Sequence, residues 1–200
     1  MNSKELSLKV VLIGDSGVGK SCLIQRFVDN KFTGKVLPTL SSSFFSKNLS
    51  IGGKQVSLHI WDTAGQEAYK SLAKMYFIDA CIAILVYDIT RLKSFESIQN
   101  YWLEELTNNT DENVVLGLAG NKCDLYNEEQ VPEKDARELA TKIKAIFSTT
   151  SCKDGIGIDE LFEKCAKQYL ENNKIKLEEN TIKIDNKKDE KTEKKGCCKK

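Results

Sequence analysis

The chain has 200 residues, 40% of them hydrophobic, and a formal charge of +1, enough for one domain of about 170 residues and a polar tail but not for a second domain. The charge is unevenly placed: residues 187–200 hold seven lysines against three acids, or +4, which leaves −3 on residues 1–186. A body of that sign gives nucleic acid binding no support, whereas the tail suits contact with an anionic membrane surface.

The longest strongly apolar run, residues 80–87, is too short to span a bilayer, and the start MNSKELS lacks the basic and apolar regions of a signal peptide, so a cytosolic protein is expected. Seven cysteines, with no zinc-type CxxC pair and a single histidine, read as free thiols.

Residues 8–13 (LKVVLI) form a continuously apolar run, as in a central strand buried on both faces. It leads into residues 14–21, GDSGVGKS, which fit the pattern GxxxxGK[ST]. A Gly-rich turn between strand and helix aims successive backbone N–H groups into one concavity, to which the helix start adds its positive dipole end. Asp15, Ser16, Gly17, Val18 and Gly19 would line this cradle for a di- or triphosphate. Lys20 would reach the outer phosphates as a point charge, and the Ser21 hydroxyl would ligate a bridging Mg²⁺. The helix that follows is expected to turn Cys22, Leu23, Ile24 and Phe27 inward.

Residues 31–42 show no period and read as a functional loop, in which Thr39 could ligate Mg²⁺ through its hydroxyl and bond the γ-phosphate through its N–H. Two strands, 44–51 and 55–62, flank Gly52-Gly53, the signal for a type I′ hairpin. Val56, Leu58 and Ile60 face the core, and Ser57, His59 and Trp61 face outward, His59 as a solvated strand residue. At the end of this strand lies WDTAGQE. Asp62 is placed as the carboxylate that holds Mg²⁺, Gly65 can bring its N–H to the γ-phosphate, and Gln66 can orient the attacking water. Phosphoryl transfer needs positioning and charge stabilisation more than covalent chemistry, so a neutral amide suffices.

Further apolar strands are expected at 80–87, 114–119 and 145–150, alternating with helices at 94–107, 133–143 and from 158. This order gives an α/β fold of the P-loop NTPase type: three layers, a six-stranded and mostly parallel sheet with one antiparallel edge strand, and helices on both faces. Asn121-Lys122-Cys123-Asp124 follows one strand, and Ser151-Cys152-Lys153 follows the next. The Asp124 carboxylate can accept both N1–H and the 2-amino group of guanine, while Asn121 fixes the loop. Adenine would leave that carboxylate unpaired. The Cys152 N–H can meet guanine O6, and the Lys153 stem can cover the ring face.

GDSGVGKS, Pro38-Thr39, WDTAGQE, NKCD and SCK, in this order and spacing, resemble a Ras-superfamily small GTPase over residues 8 to about 170. Ser16, LVYDIT at 85–90 and Cys197-Cys198 resemble the Rab branch, and residues 69–76 with the dicysteine look most like the endosomal Rabs. The resemblance implies GTP and GDP as substrate and product, Mg²⁺ as cofactor, and Gln66, Lys20 and Thr39 as catalytic groups. It implies two switches, residues 33–42 and 64–77, ordered by GTP. Phe32 matches the aromatic packed edge-on against guanine, and Phe44, Trp61 and Tyr76 match a surface triad that engages effectors. Departures from the Rab pattern are Ser41 for a Gly, Ala68 for an Arg, and Phe77-Ile78-Asp79 for Tyr-Arg-Gly.

From residue 171 the composition turns to Asn, Lys and Glu, as in a linker or disordered tail, giving a GTPase domain over 1–170 and a lysine-rich tail over 171–200. The ending CCKK fits single-chain CaaX prenylation poorly, and the resemblance implies geranylgeranyl groups on Cys197 and Cys198. Two such chains meet the requirement for stable anchoring to the cytosolic face of an endosomal membrane. The expected partners are an exchange factor, an activating protein, a dissociation inhibitor or escort protein, and effectors, acting on a monomer. Only Arg26, Arg91 and Arg137 are present, none between residues 31 and 79, so hydrolysis is expected to be slow until an arginine arrives in trans. The alternatives are a GTP-bound recruitment module with little hydrolysis and, disfavoured by NKCD and the tail, a P-loop kinase for a small metabolite.

Overall fold

In a computed structural model the described residues are 6–34, 43–63, 75–111 and 113–185, with side chains described through residue 173. The chain falls into two compact units, Met1–Tyr169 and Leu170–Lys200. In the first, six strands form one sheet in the order β2-β3-β1-β4-β5-β6: β1 (Leu6–Ile13), β2 (Ser43–Ile51), β3 (Lys54–Asp62), β4 (Ile82–Asp88), β5 (Val115–Asn121) and β6 (Ile146–Thr150). Only the β2–β3 pair is antiparallel, closed by Gly52 (φ 55°) and Gly53 (φ 78°), the two positive φ values that a type I′ turn requires. The mixed sheet with one antiparallel edge agrees with the sequence.

The pleat divides the apolar strand residues between two helical layers. Val11, Ile13, Leu85, Tyr87 and Leu118 pack with Phe95, Ile98, Trp102 and Leu106 from the helix that follows β4, and with Ala136 and Leu139 of a later one. The first of these helices runs as α2 (Leu92–Ser97), a π turn (Ile98–Trp102) and α3 (Leu103–Asn109); the second is α4 (Glu133–Lys142). On the other face lie α1 (Lys20–Asp29) and the first residues of α5 (Ile158–Asp185), where Phe27 and Phe162 stack with ring centroids 3.9 Å apart at 7°. Both rings are fully buried, which stabilises this face by about 1.5–3 kcal/mol each.

Four details differ from the sequence reading. Helix α5 extends to Asp185, through an Asn-, Lys- and Glu-rich stretch that composition alone suggests is a linker. Cys22 is only half-buried, because Lys20, Leu23, Ile24 and Phe27 take the inward face of α1. Ser57 is buried, since β3 lies inside the sheet between β2 and β1, and His59 is half-buried with Phe44 edge-on at 5.5 Å. The helix after β4 covers Leu92–Asn109 and carries the π turn, a feature with no signature in apolar spacing.

Register determines where the motifs meet. Leu12 pairs with Asp62, Ile13 with Leu85, Asp88 with Asn121, and Asn121 with Thr150. The carboxyl ends of five parallel-paired strands therefore share one edge, where ligands of open α/β sheets bind.

Candidate functional site

The loop after β1 is shaped by glycines that no other residue could replace without strain. Gly14 has φ 147°, and a Cβ there would lie 2.2 Å from the Val86 carbonyl oxygen. Gly19 has φ 102°, and a Cβ there would lie 2.3 Å from Asn121 Nδ2. Lys20 opens α1 with 5% of its surface exposed and donates from Nζ to the carbonyls of Gly14 (2.7 Å) and Asp15 (2.9 Å). Burial pulls its ammonium down to about 8, against the opposing pull of Asp62 and Asp15. A phosphate entering the loop could take over both hydrogen bonds and restore the full charge.

Asp62, 3% exposed, ends β3 beside the end of β1, and the neighbouring Thr63 hydroxyl donates to the Leu12 carbonyl at 2.7 Å. Ser21 and Asp62 offer hard oxygen donors, and no group of three or more His, Cys, Asp or Glu able to hold a metal exists among the described residues. A hydroxyl and a carboxylate fit Mg²⁺, which takes one or two carboxylates and completes its shell with phosphate oxygens and water. Thr39, the third expected ligand, and Gly65 and Gln66 lie outside the described residues, as do Cys197 and Cys198.

Asn121 joins three loops. Its Nδ2 donates to the Val18 carbonyl at 2.7 Å, and its Oδ1 accepts from the Thr150 hydroxyl at 3.2 Å and the Cys152 thiol at 3.5 Å. The Ser151 hydroxyl donates to Asp124 Oδ1 at 2.8 Å, orienting the carboxylate expected to read guanine. Lys122, in the left-handed region (φ 68°), sends Nζ to Asp88 at 2.6 Å. Burial works to raise the Asp88 pKa, but the hydrogen bonds from Lys122 and Thr90 outweigh it and hold the carboxyl below its usual range. The neighbouring Cys22 thiol and burial raise the pKa of Cys152, and the proximity of Cys152 lowers that of Cys22. Phe32 is 41% exposed, available to a base edge.

The structure thus gathers Asp15 to Cys22, Asp62, Asn121, Lys122, Asp124 and Ser151 to Lys153 at one edge. Five residues that sequence reasoning did not place at the site also hold it together. Arg26 donates from Nε to the Cys152 carbonyl (2.7 Å) and from Nη2 to the Lys153 carbonyl (2.6 Å). Arg91 donates to the Ser16 carbonyl, Trp102 to the Asp15 carboxylate, Asp88 holds Lys122, and Thr150 holds Asn121. A signal existed for Asp88, an acid closing a wholly apolar strand, and for Arg26, four residues after Cys22 on the same helix face. On the hairpin, Phe44 and Trp61 are directly paired with ring centroids 5.3 Å apart, and Tyr76 lies 5.7 Å from Trp61. Phe44, Met75 and Ile78 are exposed around them. Phe77 is buried, and Asp79 stands in the left-handed region (φ 57°), where the related pattern has Gly.

This fold and loop set define a nucleotide-hydrolysing α/β protein, and the Ras family model matches residues 9–171. The chain belongs to the Ras family and is a GTPase, converting GTP to GDP and phosphate. Its similarity is to Rab proteins. Ras-related protein Rab-31 of Mus musculus is 46% identical over 161 residues, covering 80% of this chain and 82% of the relative. Rab-22A of Canis lupus familiaris is 46% identical over 155 residues (78% and 79%), and Rab-21 of Geodia cydonium is 47% identical over 165 residues (82% and 72%).

Proposed function

We propose that this chain is a slow GTP-hydrolysing switch of vesicle trafficking on the cytosolic face of endosomal membranes, with a GTPase domain over 1–170 and a prenylated tail over 171–200. The observation that carries this reading is Asn121, whose one amide joins the phosphate-side loop at Val18 to the base-side loop at Thr150 and Cys152. Base recognition and phosphate positioning then act as one unit. Asp124, held by Ser151, accepts the guanine N1–H and 2-amino group. The backbone of residues 15–19 cradles the phosphates, and Lys20 exchanges its two carbonyl partners for their outer oxygens. Ser21, Thr39 and Asp62 would hold Mg²⁺, which supplies charge neutralisation on the phosphate oxygens. Gln66 would orient the attacking water, and the Gly65 N–H would serve the γ-phosphate.

Slow turnover follows from the arginines. Arg26 and Arg91 are engaged with loop carbonyls, and Arg137 donates to Glu133 at 2.6 Å. An activating protein supplying an arginine would accelerate hydrolysis by about 10³–10⁵. An exchange factor, a dissociation inhibitor or escort protein, and effectors docking on Phe44, Trp61 and Tyr76 complete the cycle. Among the described residues no helix is long and apolar enough to cross a membrane, so Cys197 and Cys198 with their lipids would provide the anchor.

Single-turnover hydrolysis of Mg·GTP by the purified chain, beside Gln66→Leu and with Mg·ATP as control, tests the reading. Slow GTP turnover, lost in Gln66→Leu and absent with ATP, is expected. Tight GTP binding with no turnover in either version would overturn the timer and leave a recruitment module.

A further inference from the structure

The loop Gly14–Ser21 is held from two sides. From within, Lys20 bonds the carbonyls of Gly14 and Asp15, and those bonds are the ones a phosphate would displace. From without, two side chains of the segment after β4 grip the adjoining turn. Trp102, 1% exposed, donates its indole Nε1–H to Asp15 Oδ1 at 2.9 Å. Arg91, the residue before α2, donates from Nη2 to the Ser16 carbonyl at 2.8 Å, and its Nη1 stands 3.7 Å from where a Gly17 Cβ would be. The outer grip does not use the atoms that face a phosphate.

Both side chains are themselves fixed. The Arg91 N–H bonds the Asp88 carbonyl at 3.0 Å, and the Arg91 carbonyl accepts from the Ser94 N–H (2.9 Å) and hydroxyl (2.7 Å). Trp102 closes the π turn, in which the Leu103 N–H reaches back five residues to Ile98. Ile98 and Trp102 are therefore both buried one wide turn apart. π turns inside α-helices cluster at functional sites, because the extra residue re-aims a side chain.

We propose that Arg91 and Trp102 are positioning residues for the nucleotide: they hold the Asp15–Ser16 turn open toward phosphate from its outer side. They also make the dwell time of bound GDP depend on the helix Leu92–Asn109. The inference rests on the reading that residues 14–21 bind phosphates. When Lys20 turns to the ligand, the inner restraint on residues 14 and 15 is released. The turn then keeps its donor-inward shape through the indole and the guanidinium, so the ligand finds N–H groups already aligned.

The test measures release of fluorescent GDP from the full-length chain by stopped flow, beside urea unfolding. Arg91→Met is expected to accelerate release about threefold to tenfold and Arg91→Lys, which keeps one donor, by less. Asp15→Ala and Trp102→Phe should each accelerate release by a similar factor. The double variant should be no faster than the faster single one, because both changes remove one hydrogen bond. Asp15→Asn, which keeps an acceptor oxygen, should restore most of the wild-type rate. Should Trp102→Phe not fold, the Asp15→Ala and Asp15→Asn pair decides alone. Release rates within twofold of wild type in Arg91→Met and Asp15→Ala, or the same acceleration in Asp15→Asn as in Asp15→Ala, would overturn the proposal. If the wild-type chain retains no GDP, it is the phosphate-loop reading itself that fails.

Discussion

Truncating Arg26 to alanine removes the link between α1 and the base-side loop at residues 151–153. Its Nε contact with the Cys152 carbonyl is partly buried and, as a hydrogen bond from a charged donor, is worth about 1.5–3 kcal/mol. The Nη2 contact with the Lys153 carbonyl is exposed and adds about 0–1 kcal/mol. A total of about 1.5–4 kcal/mol, centred near 3, then divides between global stability and the hold on bound nucleotide. If half acts in the bound state, GDP release should accelerate about tenfold. Stopped-flow release of fluorescent GDP reads that half, and urea unfolding of the same preparation reads the rest. Release unchanged within twofold, with a lowered urea midpoint, would refute the reasoning, because Arg26 would then support the fold without positioning Cys152 and Lys153.

Two glycines separate rigid from yielding surroundings. Gly14→Ala sets a Cβ 2.2 Å from a backbone oxygen of the fully buried strand β4 at φ 147°, and should cost more than about 3 kcal/mol in urea unfolding. Gly117→Ala meets only side-chain atoms of Cys165, Ile84 and Leu161 at 3.1–3.5 Å, which can shift, and should cost about 1–2 kcal/mol. Asp88→Asn weakens the bond to half-exposed Lys122 and should lower stability at pH 7 by about 1–2 kcal/mol. The Asp88 carboxyl titrates lower in the folded chain than in the unfolded one. Its contribution is therefore complete above the unfolded value of about 3.9 and drains as pH falls through the lower folded value. Wild type and Asp88→Asn should differ in urea midpoint at neutral pH and converge in strong acid.

The motifs were legible in the sequence because each is local. A Gly-rich turn after an apolar strand, an NKxD after another, and a two-glycine hairpin declare themselves within a few residues, and five strands with alternating helices then dictate a parallel sheet with its loops at one edge. What the sequence did not disclose are bonds between loops far apart in the chain. Arg26 to Cys152, Arg91 to Ser16 and Trp102 to Asp15 span 126, 75 and 87 positions, and no periodicity encodes such a pairing. The π turn escaped for a related reason: one added residue in a helical turn leaves the apolar spacing of Phe95, Ile98, Trp102 and Leu106 compatible with an ordinary helix.

These long-range bonds explain how the weak local preferences of a Gly-rich loop yield a single conformation. Gly14, Gly17 and Gly19 have positive φ and would sample many others in a free peptide. In the fold their carbonyl neighbours are held by Lys20, Asn121 and Arg91, three side chains anchored in α1, at the end of β5 and ahead of α2. The ordering cost of the loop is thus met during folding rather than at the arrival of the nucleotide, leaving more of the binding interaction available as affinity. Because the same Asn121 amide also anchors Thr150 and Cys152, a distortion at the base edge reaches Val18 through one side chain. If Asp124 reads guanine as proposed, a nucleotide with the wrong base would lose affinity twice, through the guanine contacts that Asp124 cannot make and through a displaced phosphate loop.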